Sequence, residues 1–173
     1  MELEWSAVLL PEGSGTQPPP GSEAAFSASG ATALTAFGDD GVFLITLSAT
    51  DAFGASASAS AELAVLNRAP RASLVVTLDG TVQEGTVSVV VNGTLVFDAS
   101  GSYDPDGTII GHAWRFGDGR SETGGTVEHF WLEPGTYDVT LTVSDDDGGS
   151  ATASVRVEVT PEAGDGDGGV DGG

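Results

Sequence analysis

From Gly135 onward the chain alternates apolar and polar positions. Tyr137, Val139, Leu141 and Val143 fall on one side; Asp138, Thr140, Thr142 and Ser144 fall on the other. A period of two over this length predicts a strand with one face buried. The earlier segment 41–51 has the same form. Phe43 corresponds to Tyr137, Ile45 to Val139, Leu47 to Leu141 and Asp51 to Asp145, each pair 94 positions apart. The spacing holds through Gly54 and Gly148, Leu63 and Val157, and Val65 and Val159. One hairpin written twice, a domain length apart, predicts tandem modules.

Further short apolar runs, cut by Gly, Asp, Ser and Pro, accompany the second copy at 72–78, 86–91, 94–99, 109–116, 126–131 and 151–159. Asn92-Gly93, between the second and third of these, is a hairpin signal. Seven or so short strands with no helical period predict an all-β fold, an immunoglobulin-like β-sandwich over 67–160. The first copy has fewer runs. Residues 2–9, bearing Trp5, look like the central Trp-bearing strand; 24–27 and 33–37 follow a loop at 11–21 rich in Pro, Gly and Ser. Nothing ahead of Trp5 can serve as the first strands, so 1–66 is expected to be a partial sandwich that does not fold stably alone. Upstream sequence or another molecule would complete it, and upstream sequence is favoured because the Gly- and Asp-rich tail offers no donor strand. Pro70 stops the preceding strand, which sets the module boundary at Asn67-Arg68-Ala69-Pro70. Residues 161–173, with almost no apolar content, are expected to be a disordered tail or linker.

Charge narrows the partners. The formal net charge is −21, with five Arg and no Lys. Such a surface repels phosphate backbones, so nucleic acid is excluded as a partner, and it attracts cations, Ca²⁺ first among those outside a cell. The same acidity also keeps a β-rich protein soluble or suits a salty habitat. No Cys is present, which removes disulfides, thiol chemistry and Cys zinc sites. No segment is long and apolar enough to span a bilayer as a helix. The first residues, Met1-Glu2-Leu3-Glu4-Trp5, lack the basic and apolar regions of a signal peptide, so the signal of a secreted parent is expected outside this chain.

Several strings in 67–160 together resemble the polycystic kidney disease (PKD) domain family. They are Asn67-Arg68-Ala69-Pro70, the run from Phe97 through Asp104-Pro105-Asp106-Gly107, Trp114-Arg115-Phe116-Gly117-Asp118-Gly119, His129-Phe130-Trp131, and Pro134-Gly135-Thr136-Tyr137 followed by Leu141-Thr142-Val143. The third is similar to the family's Trp-Asp-Phe-Gly-Asp-Gly signature, with Arg115 in place of its first acid. Residues 1–66 resemble the later part of a more divergent repeat of the same kind. The resemblance implies PKD-type sandwiches in tandem, the first one incomplete, acting as extracellular spacers, adhesion modules or ancillary domains beside secreted hydrolases. It implies no catalysis.

The residues support the same reading. Trp114 on a central strand suits the gap between two sheets, although an aromatic ring can also stack on sugars. Gly117-Asp118-Gly119 is a tight turn. The only His residues, His112 and His129, come with no nucleophile elbow, and Asp118 with Glu122 implies no cleft. The best site is for calcium. In such a sandwich, loops from three places meet at one pole, which would gather Asn67, Asp104, Asp106, Asp145, Asp146 and Asp147. Hard oxygen ligands from several loops suit Ca²⁺; Asp-Pro-Asp-Gly and Asp-Asp-Asp-Gly are also ordinary turn formers. The expected function is non-catalytic: a structural or adhesive segment of a cell-surface or secreted protein, partnered by an extracellular protein or polysaccharide and by neighbouring modules. The alternative is the polymer-binding portion of a secreted protease or glycoside hydrolase.

Overall fold

The computed structural model describes residues 1–10, 26–33, 35–38 and 40–162. The chain separates into two units, Met1–Arg68 and Ala69–Gly173, and residues 163–173 of the expected tail lie outside the described residues. Every described element is a strand, and among the described residues no helix is long and apolar enough to cross a membrane.

The first unit holds β1 (Glu2–Leu10), β2 (Phe26–Ser29), β3 (Gly41–Thr50) and β4 (Ser56–Val65), all in one antiparallel sheet of order β2-β1-β3-β4. Trp5 on β1 stands opposite Leu47 on β3 and Ala28 on β2. The run expected as a strand at 33–37 is not one in its described residues.

The second unit holds β5 (Val75–Leu78), β6 (Thr81–Gln83), β7 (Val87–Val90), β8 (Leu95–Asp98), β9 (Ile109–Arg115), β10 (Ser121–Thr123), β11 (Thr126–His129), β12 (Gly135–Asp145) and β13 (Ser150–Thr160). Two sheets form, β10-β9-β12-β13-β7 and β11-β8-β5-β6. Their apolar faces meet in one core. Val76, Leu95, Phe97 and Val127 come from one side; Trp114, Phe116, Val139, Leu141, Val143 and Val157 come from the other, all buried. Burying these alternating positions is what holds the sheets together.

The Asn92-Gly93 turn differs from expectation. β7 and β8 do not form a hairpin: β7 pairs parallel with β13, and β8 pairs with β5 and β11 in the other sheet. Gly93 N–H donates to Val90 O at 2.9 Å, with Asn92 at φ 63° in the third position, the geometry of a type II turn rather than a hairpin turn. The turn carries the chain from one sheet to the other. Val91 N–H to Thr160 O (2.9 Å) and Asn92 N–H to Trp131 O (3.0 Å) fix it.

The two units repeat one another in detail. Gly41 pairs with Val65 and Gly135 with Val159; Thr50 pairs with Ser56 and Ser144 with Ser150. Trp5 Nε1 donates to Gly30 O at 2.9 Å, as Trp114 Nε1 does to Gly124 O at 2.9 Å. Asp51 Oδ1 accepts from Phe53 and Ala55 N–H, as Asp145 Oδ1 accepts from Asp147 and Gly149 N–H. Gly54 and Gly148, which finish these two turns, share φ 86°, where a side chain would be strained. The first unit's sheet is thus the counterpart of β10-β9-β12-β13.

Candidate functional site

β9 leads through Trp114 and Phe116 into the Gly117-Asp118-Gly119 turn. Gly117 (φ 77°) and Gly119 (φ 91°) occupy left-handed backbone, and a Cβ on Gly117 would lie 3.1 Å from both the N and the O of Asp138. Asp118 Oδ1 accepts from Arg120 N–H at 2.9 Å, closing the turn on itself. Its Oδ2 lies 3.0 Å from His129 Nε2 and 3.9 Å from Arg120 Nε. His129 is 3% exposed. Its ring stacks on Phe116 with centroids 3.7 Å apart and meets Trp131 edge-on at 4.7 Å. The pair ties the signature turn to the end of β11. It is a buried polar clamp, and a histidine held between rings by a carboxylate is satisfied structurally.

Burial pushes the Asp118 carboxyl up. The Arg120 N–H, the His129 hydrogen bond and the His129 charge outweigh it and hold the group below its ordinary value of 3.8. A carboxylate whose folded pKa is depressed adds stability above its unfolded value, and that stability is lost as pH falls through the folded pKa. Asp98, lowered chiefly by the Ser100 N–H, acts in the same window. The domain is therefore expected to lose stability on acidification below 3.8. Asp118→Asn, which keeps an acceptor for Arg120 N–H, should flatten that loss in chemical denaturation at successive pH values. An unchanged acid slope would remove Asp118 from the account.

The acidic pole is built by two loops. Thr108 N–H donates to Asp146 Oδ1 at 2.7 Å and Asp146 N–H to Thr108 O at 3.1 Å, which joins the 104–108 loop to the β12–β13 turn. Asp106 N–H donates to Asp104 Oδ1 at 3.3 Å. Three carboxylate oxygens surround Gly107: the point a Cβ would occupy lies 2.8 Å from Asp146 Oδ1, 3.2 Å from Asp104 Oδ2 and 3.3 Å from Asp147 Oδ2. Asp104 Oδ2 is buried and makes no hydrogen bond. Asp145, 1% exposed, turns inward to close the β12–β13 turn. Asn67 belongs to the first unit, just before the division at Arg68. Among the described residues no three His, Asp or Glu side chains form a ready metal cage.

The aromatic residues take different places. Trp114 is fully buried and Trp131 is 1% exposed, so both serve the core. Trp131 stacks on Tyr137 at 5.4 Å beside a shallow groove of about 380 Å³ lined by Asp118, Arg120, Leu132, Glu133 and Tyr137. Phe130 and Leu132 are exposed, and the Arg120 guanidinium sits 5.7 Å over the Phe130 ring. The His129–Asp118 pair was not anticipated from the sequence. One signal could have found it: Val127, His129 and Trp131 fall on one face of an alternating run, and a polar residue facing inward needs a partner.

Known proteins resemble part of this chain. Collagenase ColA of Clostridium perfringens is 37% identical over 75 residues, 43% of this chain and 7% of that protein. Pre-pro-metalloprotease PrtV of Vibrio cholerae is 39% identical over 74 residues, 42% of this chain and 8% of that protein. Halomucin of Haloquadratum walsbyi is 42% identical over 81 residues, 43% of this chain and 1% of that protein. The chain thus spans less than a tenth of each of these relatives. Among solved structures, the PKD1 domain of Vibrio cholerae PrtV is 30% identical with a TM-score of 0.42, covering 53% of this chain and 98% of that one. The PKD domain model matches residues 71–160, just over half of the 173 residues, and the chain belongs to the PKD domain family.

Proposed function

We propose that this chain is a non-catalytic, extracellular spacing and interaction segment of a larger cell-surface or secreted protein. The observation that carries the reading is the placement of the signature residues. Trp114, Phe116, Asp118 and His129 are committed to the core and its clamp, which leaves them no reacting surface. A second reading, the polymer-binding part of a protease, is favoured by the collagenase and metalloprotease relatives and by the Phe130–Leu132 surface beside the groove. Sedimentation with insoluble collagen, chitin and cellulose separates the two. A spacer stays in solution. Retention on one polymer that is lost in Phe130→Ala decides for the second reading.

The proposal includes Ca²⁺ as a stiffening ion at the acidic pole. Asp104, Asp106, Asp146 and Asp147 on the two adjoining loops supply the hard oxygens it prefers, and the buried, unbonded Asp104 Oδ2 is a donor in want of a cation. Ligand bound only to the folded state stabilises it by about 2.7 kcal/mol at a hundred times Kd. Calorimetry should register heat on adding Ca²⁺. The melting temperature should rise by several degrees in millimolar Ca²⁺ over chelator, and Asp104→Asn should abolish the rise. No heat and no shift would remove calcium from the function.

A further inference from the structure

The two outer faces of the second unit's sandwich differ in kind. β12 and β13 turn hydroxyls outward in cross-strand pairs: Thr140 with Ser154, Thr142 with Thr152 and Ser144 with Ser150. The other sheet turns valines outward. Val76, Leu95 and Phe97 are buried inward, so alternation sends Val75 and Val96 to the opposite side. The register sets Val82 beside Thr77, Thr77 beside Val96, and Val96 beside Glu128 of β11. Val75, in the adjoining row, faces Asp98. Val82 is 58% exposed and Val75 38%, and Val96 is half-buried; none of the three belongs to the core or packs against it. Folding alone does not call for them. Threonine has the same branched shape, suits a strand and tolerates water, as Thr140 and Thr142 do on β12.

Charge says what such a face takes. The same two rows hold the carboxylates of Asp98 and Glu128 and no cation. We propose that the outer face of the β11-β8-β5-β6 sheet docks a basic polypeptide. That partner lays apolar side chains over Val75, Val82 and Val96 and sets Lys or Arg beside Asp98 and Glu128. A second copy of this chain is the wrong occupant, because it brings a net charge of −21 and only five basic side chains against 26 acids. Like charges brought together oppose that contact. The proposal rests on the interaction reading above and uses none of the residues that line the groove beside Tyr137. Failure of retention on collagen, chitin or cellulose therefore leaves it standing.

The test uses the full chain and two synthetic peptides of equal length and charge, one alternating Val and Lys, the other Thr and Lys. Calorimetry at physiological ionic strength should show the Val peptide binding roughly tenfold more tightly, because only it adds apolar contact to the shared charge. Val82→Thr with Val96→Thr should bring the two affinities together. The replacement keeps the branched shape, and an unchanged melting curve verifies the fold. Val90→Thr, which trims a half-exposed valine of β7 in the other sheet, should leave the preference intact. Three results would overturn the proposal. One is equal affinity for the two peptides, which reduces the contact to bulk charge. Another is a preference for the Val peptide that the double variant does not alter. The last is self-association of the chain alone that the double variant abolishes, which would give the face to a second copy.

Discussion

Trp114→Ala is expected to destabilise the second unit by about 3–5 kcal/mol, the range for removing a buried aromatic side chain. The ring has no solvent exposure and lies 5.7 Å, centroid to centroid, from Phe97 in the facing sheet. Its Nε1 also satisfies Gly124 O, and losing that donor leaves a carbonyl unpaired behind the cavity. Trp5→Ala is the control. Its ring makes the matching bond to Gly30 O but is only half-buried, so less surface returns to water and the loss should be clearly smaller. Denaturant titration followed by circular dichroism measures both. An unchanged midpoint for Trp114→Ala would contradict the core assignment and favour a sugar-stacking ring at the surface.

Asp145→Ala should cost about 1.5–3 kcal/mol, the scale for hydrogen bonds to a charged group. One carboxylate oxygen receives the N–H groups of Asp147 and Gly149, and the side chain is 1% exposed. Water cannot replace the lost acceptor without opening the end of the sheet. Asp51→Ala removes the same two bonds in the first unit, but Asp51 is exposed, so water takes over and the loss should be smaller. Running both in chelator keeps any calcium effect out of the comparison. Equal losses at the two positions would show that burial of the Asp145 turn contributes nothing.

Much of this architecture is legible because it is local. The alternation of Tyr137 to Val143 and the 94-residue repeat fix two hairpins in register, down to the Asp and Gly that close each turn. What the sequence hides is decided at a distance. Asn92-Gly93 carries a hairpin signal, yet Thr160 and Trp131, far along the chain, hold it as a crossover between sheets. Residues 33–37 have the composition of a strand, yet their described residues are not one. The three-residue strands β6 and β10 are too short for a period to be seen. At the acidic pole, the meeting of Asp104, Asp146 and Asp147 follows from which loops share an end of the sandwich. The inward turn of Asp145 follows from its place in the alternation, one step beyond Val143.

The parallel pairing of β7 with β13 has a mechanical consequence. β7 lies near the start of the second unit and β13 at its end, in the register Val87 with Val157 through Val90 with Thr160. Tension that has drawn out β5 and β6, which precede it, pulls the beginning of β7 one way and the end of β13 the other. Because the two strands run in the same direction, that load slides them past each other, and the bonds between them must yield together. In the antiparallel hairpin of β12 and β13, by contrast, a pull at the open end would peel the bonds apart one at a time. A unit wired in this way resists further stretching at the parallel pair that its last strand makes.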